Sequence, residues 1–170
     1  RQAALAGLEN MLSARDSQYL SLASTRLSDD DLEVRTQVLP AVLAAPDPAL
    51  HTAATTILQE MLDDPDSAHR VRGVQVIGQM TTLSWLSAVM SKLDDAVDEV
   101  RLQAILAIEA MLPRPVPADQ ALLLFGALEK RTRDPIEQVR QVALNTLGRQ
   151  FGDGSMEAQA FAILLLGLHD

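Results

Sequence analysis

The sequence predicts an all-α protein made of about five stacked helical hairpins, and three observations carry that expectation. Hydrophobic residues make up 48% of the chain but aromatics only 3%. The core must therefore come from Leu, Ala, Val, Ile and Met, a composition that favours packed helices over sheet. An acidic turn feeding an Arg-led amphipathic run also recurs. It reads LSDDDLEVRTQVLPAVL from residue 27, LDDPDSAHRVRGVQVIGQM from 62, LDDAVDEVRLQAILAIEAM from 93 and RDPIEQVRQVALNTLG from 133. Between these runs lie further segments of helical period. One hairpin cannot bury its apolar face alone, so a chain that restates it stacks the copies.

The repeat is anchored on Val-Arg pairs: Val34-Arg35, Val71-Arg72, Val100-Arg101 and Val139-Arg140. Six residues before each arginine stands an aspartate: Asp29, Asp66, Asp95 and Asp134. RQAALAGL (1–8) aligns with RQVALNTL (140–147), so Arg1 joins the series and the intervals are 34, 37, 29 and 39 residues. The final LHD resembles the Leu-x-Asp of Leu27 to Asp29 and of Leu93 to Asp95. On this pattern the chain starts and stops within a repeat, truncated at both ends, as a single domain over 1–170. Its units are about 1–14 (one helix), 16–46, 47–82, 83–113, 117–151 and 155–170 (one helix).

Each unit pairs a first helix with an Arg-led second one. The first helices are SQYLSLASTRL (17–27), PALHTAATTILQEMLD (48–63), LSWLSAVMSKL (83–93), ADQALLLFGALEK (118–130) and SMEAQAFAILLLGL (155–168). PALHTAATTILQEMLD is the clearest: Leu50, Ala53, Ala54, Ile57, Leu58, Met61 and Leu62 follow the i, i+3, i+4 rule without a miss. Asp47-Pro48 offers an N-cap acceptor and a preset φ at the first helical position, and Asp64-Pro65 and Asp134-Pro135 are expected to do the same. Ser155 followed by Glu157 is a further cap signal. Pro40 should kink its helix, and LPRPVP (112–117) is a proline-rich connector that accounts for the longest interval.

These residues resemble the HEAT-repeat family in its short, bacterial-type form, over essentially the whole chain; the tetratricopeptide and ankyrin signatures are absent. The resemblance implies an armadillo-like, right-handed α-α superhelix, an α-solenoid. It also implies that the turn aspartates and second-helix arginines form a structural ladder between neighbouring units: Asp29 and Arg35, Asp66 and Arg72, Asp95 and Arg101, Asp134 and Arg140. Physical chemistry agrees. An aspartate at a helix start accepts backbone N–H groups, and an arginine offers several donors to a carboxylate or a turn carbonyl.

Several function classes are disfavoured. The net charge is −9 and the pI about 4.7, which argues against nucleic acid as a partner. There are no cysteines, hence no disulfide and no thiolate metal site. No stretch reaches the roughly 18 apolar residues of a membrane span. The clusters Asp29-Asp30-Asp31, Asp63-Asp64-Asp66 and Asp94-Asp95-Asp98-Glu99 lack the spacing of a calcium loop and read as turn and cap residues. His51, His69 and His169 are scattered and read as surface or rim residues, and no serine occupies a nucleophile elbow. Gly152 to Ser155 lack the lysine of a phosphate loop, and Trp85 reads as packing. No cofactor is expected.

In the family this chain resembles, the second helices line the concave side. Here they would present Glu9, Asn10, Gln37, Gln75, Gln79, Gln103, Glu109, Gln141, Asn145 and Arg149, an amide-rich surface suited to a protein or peptide. The expected role is a non-catalytic scaffold, the cytoplasmic arm of a larger regulatory or membrane-associated protein. The competing class is an enzyme on the same fold, similar to a DNA glycosylase, a bilin lyase or a metal hydroxylase. It would need His-Glu pairs or a basic groove that the sequence does not display. Apolar Phe161, Ile163, Leu164 and Leu165 in the last helix predict end-to-end self-association.

Overall fold

Helices occupy nearly all of the residues that the computed structural model describes, which are 17–44, 47–80, 82–112, 116 and 118–151. No strand occurs among them. The chain divides between Met80 and Thr81 into two compact units.

The first unit holds α1 (Ser17–Leu27), α2 (Leu32–Ala44), α3 (Pro48–Leu62) and α4 (Ser67–Gln79). Helix α1 packs on α2 and α3, α2 on α3 and α4, and α3 on α4. First helices thus touch first helices, and Arg-led helices touch Arg-led helices. The interior between the two layers is aliphatic: Ala23 and Leu27 from α1, Val38, Leu39 and Val42 from α2, Ala54, Leu58 and Leu62 from α3, Val74 and Ile77 from α4. Helix α2 runs on through Pro40.

The second unit opens with a 3₁₀ turn (Leu83–Trp85), the short α5 (Leu86–Ser91) and a second 3₁₀ turn (Lys92–Asp94). It continues with α6 (Asp98–Met111), α7 (Ala118–Arg131) and α8 (Glu137–Phe151). Helix α5 packs on α6, and α8 packs on both α6 and α7. Val100, Ala104, Ile105 and Ile108 of α6 meet an interior shared with Leu124 and Leu128 of α7 and Val139 and Ala143 of α8. Phe125 and Phe151 close one end edge-to-face, their centroids 5.5 Å apart.

Cap chemistry sets the helix starts, with two departures from expectation. Asp47 accepts the N–H groups of Ala49 and Leu50 at 2.9 and 3.0 Å, with Pro48 at the first helical position as predicted. At the other two Asp-Pro pairs the helix begins later. Asp66, not Asp64, caps α4 by accepting the Ala68 N–H at 2.9 Å, and α8 begins only at Glu137. The reason is local: Asp64 and Asp134 accept the N–H two residues on, closing an Asx turn ahead of the helix. The single helix expected over 83–93 is also broken, because Trp85 sits at φ −98°, ψ 1°, outside the α-helical well. The helix predicted over 155–168 and the Gly152–Ser155 loop lie outside the described residues, as do the 1–14 helix and His169.

One glycine lies at a close approach between two helices. A Cβ on Gly73 of α4 would stand 3.2 Å from Met61 Cβ and 3.3 Å from Leu62 Cδ2 of α3. Gly126, mid-helix in α7, would meet nothing within 4 Å. Gly126→Ala should therefore raise stability by about 0.5–1 kcal/mol through helix propensity. Gly73→Val should lower it by about 1–3 kcal/mol through overpacking. Urea denaturation of the two variants checks the pair.

Candidate functional site

Four turns precede the Arg-led helices, and each is built the same way. An aspartate side chain accepts the N–H two residues on: Asp29 from Asp31 at 3.0 Å, Asp64 from Asp66 at 2.8 Å, Asp95 from Val97 at 2.9 Å and Asp134 from Ile136 at 3.1 Å. The backbone carbonyl of that same aspartate then accepts Nη1 of the arginine six residues later. The pairs are Arg35 to Asp29 (2.7 Å), Arg70 to Asp64 (2.8 Å), Arg101 to Asp95 (2.9 Å) and Arg140 to Asp134 (2.7 Å). A turn carbonyl half-buried at a helix start needs a donor. An arginine in the first turn of the helix supplies it at a fixed reach.

The second copy departs from the expected register. Arg70 and Asp64 hold the positions assigned above to Arg72 and Asp66. Arg72 instead crosses to α2, donating Nε to Thr36 Oγ1 at 3.2 Å and pairing Nη2 with Glu33 at 2.8 Å. The signal that could have found Arg70 was in the sequence. Leu62 to Asp64 repeats the Leu-x-Asp of the neighbouring units, and Asp64-Pro65 matches Asp134-Pro135, each with arginine six residues after the aspartate.

In the second unit the arginine also reaches the next turn. Arg101 donates Nε and Nη2 to the two oxygens of Asp134, both at 2.8 Å, and the Asp134 side chain has no exposed surface. Arg131 stands 3.4 Å from the same carboxylate and 2.9 Å from Asp94, which Lys130 holds at 2.7 Å. Burial pushes the Asp134 carboxyl up, but the Arg101 hydrogen bonds, the Ile136 N–H and the two arginine charges outweigh it and leave the carboxyl below its ordinary value. Asp94 is also lowered, chiefly by its hydrogen bond from Lys130. A cleft of about 350 Å³ lies over this network, walled by Asp95, Asp98, Arg101, Arg131 and Pro135.

The first unit differs at the equivalent place. Among the described residues no hydrogen bond or ion pair joins Arg35 to Asp64; Asp64 Oδ2 instead meets His69 Nδ1 at 2.9 Å. That contact is the leading cause of a lowered Asp64 carboxyl. A cleft of about 330 Å³ opens there, lined by Leu27, Leu32, Arg35, Ile57, Glu60, Met61, Asp64 and His69. His69 is thus half-buried among the residues that line the cleft, and His51 is exposed.

The candidate partner-binding residues are partly committed to the fold. Gln37 and Gln103 donate to Glu33 and Glu99 one turn back, both at 3.1 Å, and Gln141 donates to Glu137 at 3.3 Å. Gln75 accepts from Arg72 at 3.5 Å. Glu109 accepts Thr146 Oγ1 at 3.0 Å and Arg149 Nη1 at 2.7 Å, joining α6 to α8. Gln79 and Asn145 are exposed, and Arg149 keeps 61% of its side-chain surface. No group of three metal-ligating side chains converges among the described residues, and none of their helices is long and apolar enough to cross a membrane. Comparison with protein-family models and with curated proteins returns no match for this sequence.

Arg101→Met would take the bidentate partner from a buried carboxylate and leave Arg131 as its one charged contact, so it should cost up to about 3–5 kcal/mol, and Asp134→Asn added to it should recover part of the loss. Thermal melts of the two single variants and the double variant check this. The lowered Asp134 and Asp94 carboxyls stabilise the fold above the ordinary carboxylate range, and that contribution is lost as pH falls through their depressed values. The melting temperature should therefore drop below about pH 4. Asp134→Asn should flatten that acid limb, and melts across the acid range measure it.

Proposed function

We propose that this chain is a non-catalytic interaction module, a HEAT-like α-solenoid segment that binds a protein or peptide along its Arg-led helices. Support comes first from the fourfold turn: the recurring arginines act as struts, each giving Nη1 to the carbonyl of the turn aspartate six residues before it. The repeated chemistry is therefore architectural, and what is left for a partner is the outward sides of α2 and α4 in the first unit and of α6 and α8 in the second. Gln79 in the first, and Asn145 and Arg149 in the second, are exposed. An acidic chain with such a face suits a polypeptide ligand better than a phosphate backbone. By its resemblance to HEAT repeats, the segment serves as an arm of a larger regulatory or membrane-associated protein, working in the cytoplasm.

Selecting ligands from a displayed random-peptide library on the purified chain, then mapping them by hydrogen exchange, tests this role. Protection should fall on α2, α4, α6 and α8, and Gln79→Lys with Asn145→Lys should weaken binding about tenfold without moving the melting temperature. Protection confined to α1, α3 and α7, or no enriched peptide, would contradict it.

A further inference from the structure

Arg101 and Arg35 make the same bond to their own turns and differ in what they do with the rest of the guanidinium. Arg101 gives Nη1 to the Asp95 carbonyl and grips a carboxylate, Asp134, with Nε and Nη2. Arg35 gives Nη1 to the Asp29 carbonyl, and its Nε and Nη2 have no partner among the described residues. Arg35 also lines the cleft of about 330 Å³ in the first unit. Leu32, Ile57 and Met61 give that cleft an aliphatic lining, and Glu60 and Asp64 place two carboxylates on it. Asp64 accepts the Asp66 N–H and meets His69 Nδ1. Glu60 is exposed, and its carboxylate has no partner among the described residues.

We propose that this cleft binds a free aliphatic amino acid, its carboxylate on the Arg35 fork, its ammonium at Glu60 and its side chain on the aliphatic lining. The chemistry of the lining selects that class. A guanidinium fork matches the plane and spacing of a carboxylate, as Arg101 matches Asp134. The two carboxylates that share the cleft oppose a dianion such as phosphate and favour an anion that carries its own positive charge. Glu60 is an acceptor for that charge which the fold leaves unused. An aliphatic lining beside the fork favours a hydrocarbon side chain over a polar one. A peptide C-terminus offers the carboxylate without the ammonium, and a simple amine the reverse, so each meets half of the site. The cleft is at the small end of small-molecule sites, in keeping with a single amino acid. The site is separate from the peptide role proposed above, which it neither needs nor excludes.

Isothermal titration calorimetry of the purified chain with L-leucine tests the site, with 4-methylpentanoate, which lacks the ammonium, and 3-methylbutylamine, which lacks the carboxylate, as its two halves. Leucine should bind at one site with a dissociation constant of about 1 mM or tighter. Each half should bind about tenfold more weakly. Glu60→Gln, a change on an exposed side chain, should weaken leucine about tenfold and leave 4-methylpentanoate unchanged. Arg35→Lys keeps a donor for the Asp29 carbonyl but offers no fork, and it should abolish binding. Should Arg35→Lys fail to fold, the Glu60→Gln comparison decides alone. Four results would each overturn the proposal: no saturable heat with leucine up to about 20 mM, 4-methylpentanoate or inorganic phosphate bound as tightly as leucine, unchanged leucine affinity in Glu60→Gln, or unchanged affinity in a folded Arg35→Lys.

Discussion

A guanidinium bonded to the carbonyl of the aspartate six residues before it is the contact on which the described helices depend. It appears at the start of α2, α4, α6 and α8. The helix ladder leaves its first N–H groups and the preceding turn carbonyl without partners, and burial makes such groups costly. Aspartate meets one need through its side chain, and arginine meets the other from within the helix. The turn is then locked at both ends, and the direction in which the chain enters the helix is set. Lysine offers no fork that could serve a carbonyl with one nitrogen and keep others for a neighbouring turn.

The rest of the packing follows from that fixed entry. With the Arg-led helices held at their starts, their apolar sides face the first helices across aliphatic interiors, and Gly73 lets α4 close against the Met61 Cβ of α3. Their polar sides are joined laterally, by Arg72 to Glu33 and Thr36 in one unit and by Glu109 to Thr146 and Arg149 in the other. These lateral pairs are more exposed than Arg101 with Asp134, so they contribute less to stability and more to register. Stability therefore concentrates in the turns and the layered interior, not along the outward face.

Helix positions were legible because amphipathic period and Asp-Pro caps are local signals. α3 spans the expected segment to within a residue, and Asp47 caps it as its sequence suggests. The strut register in the second copy was not legible from Val-Arg alone. His69 removes the valine that marks the true position, while Val71-Arg72 and Asp66 reproduce the spacing two residues late. Leu62-x-Asp64, which repeats the Leu-x-Asp of Leu27 and Leu93, and Asp64-Pro65, which matches Asp134-Pro135, separate the two, and the Arg70 bond to the Asp64 carbonyl decides between them. Glu33 and Gln37, Glu99 and Gln103, and Glu137 and Gln141 are each four apart, so these amides have intrahelical partners that a list of outward residues conceals. The Arg101–Asp134 grip depends on which turns adjoin in space, and periodicity carries no distance of that kind.

Comparing the melting temperatures of Arg70→Ala and Arg72→Ala in one buffer at raised salt tests the strut most directly. Salt screens the exposed Arg72–Glu33 pair and spares the part-buried carbonyl bonds of Arg70. The larger drop should therefore belong to Arg70→Ala. A larger drop for Arg72→Ala would place the strut on the wrong arginine and remove the shared turn on which the four copies are aligned.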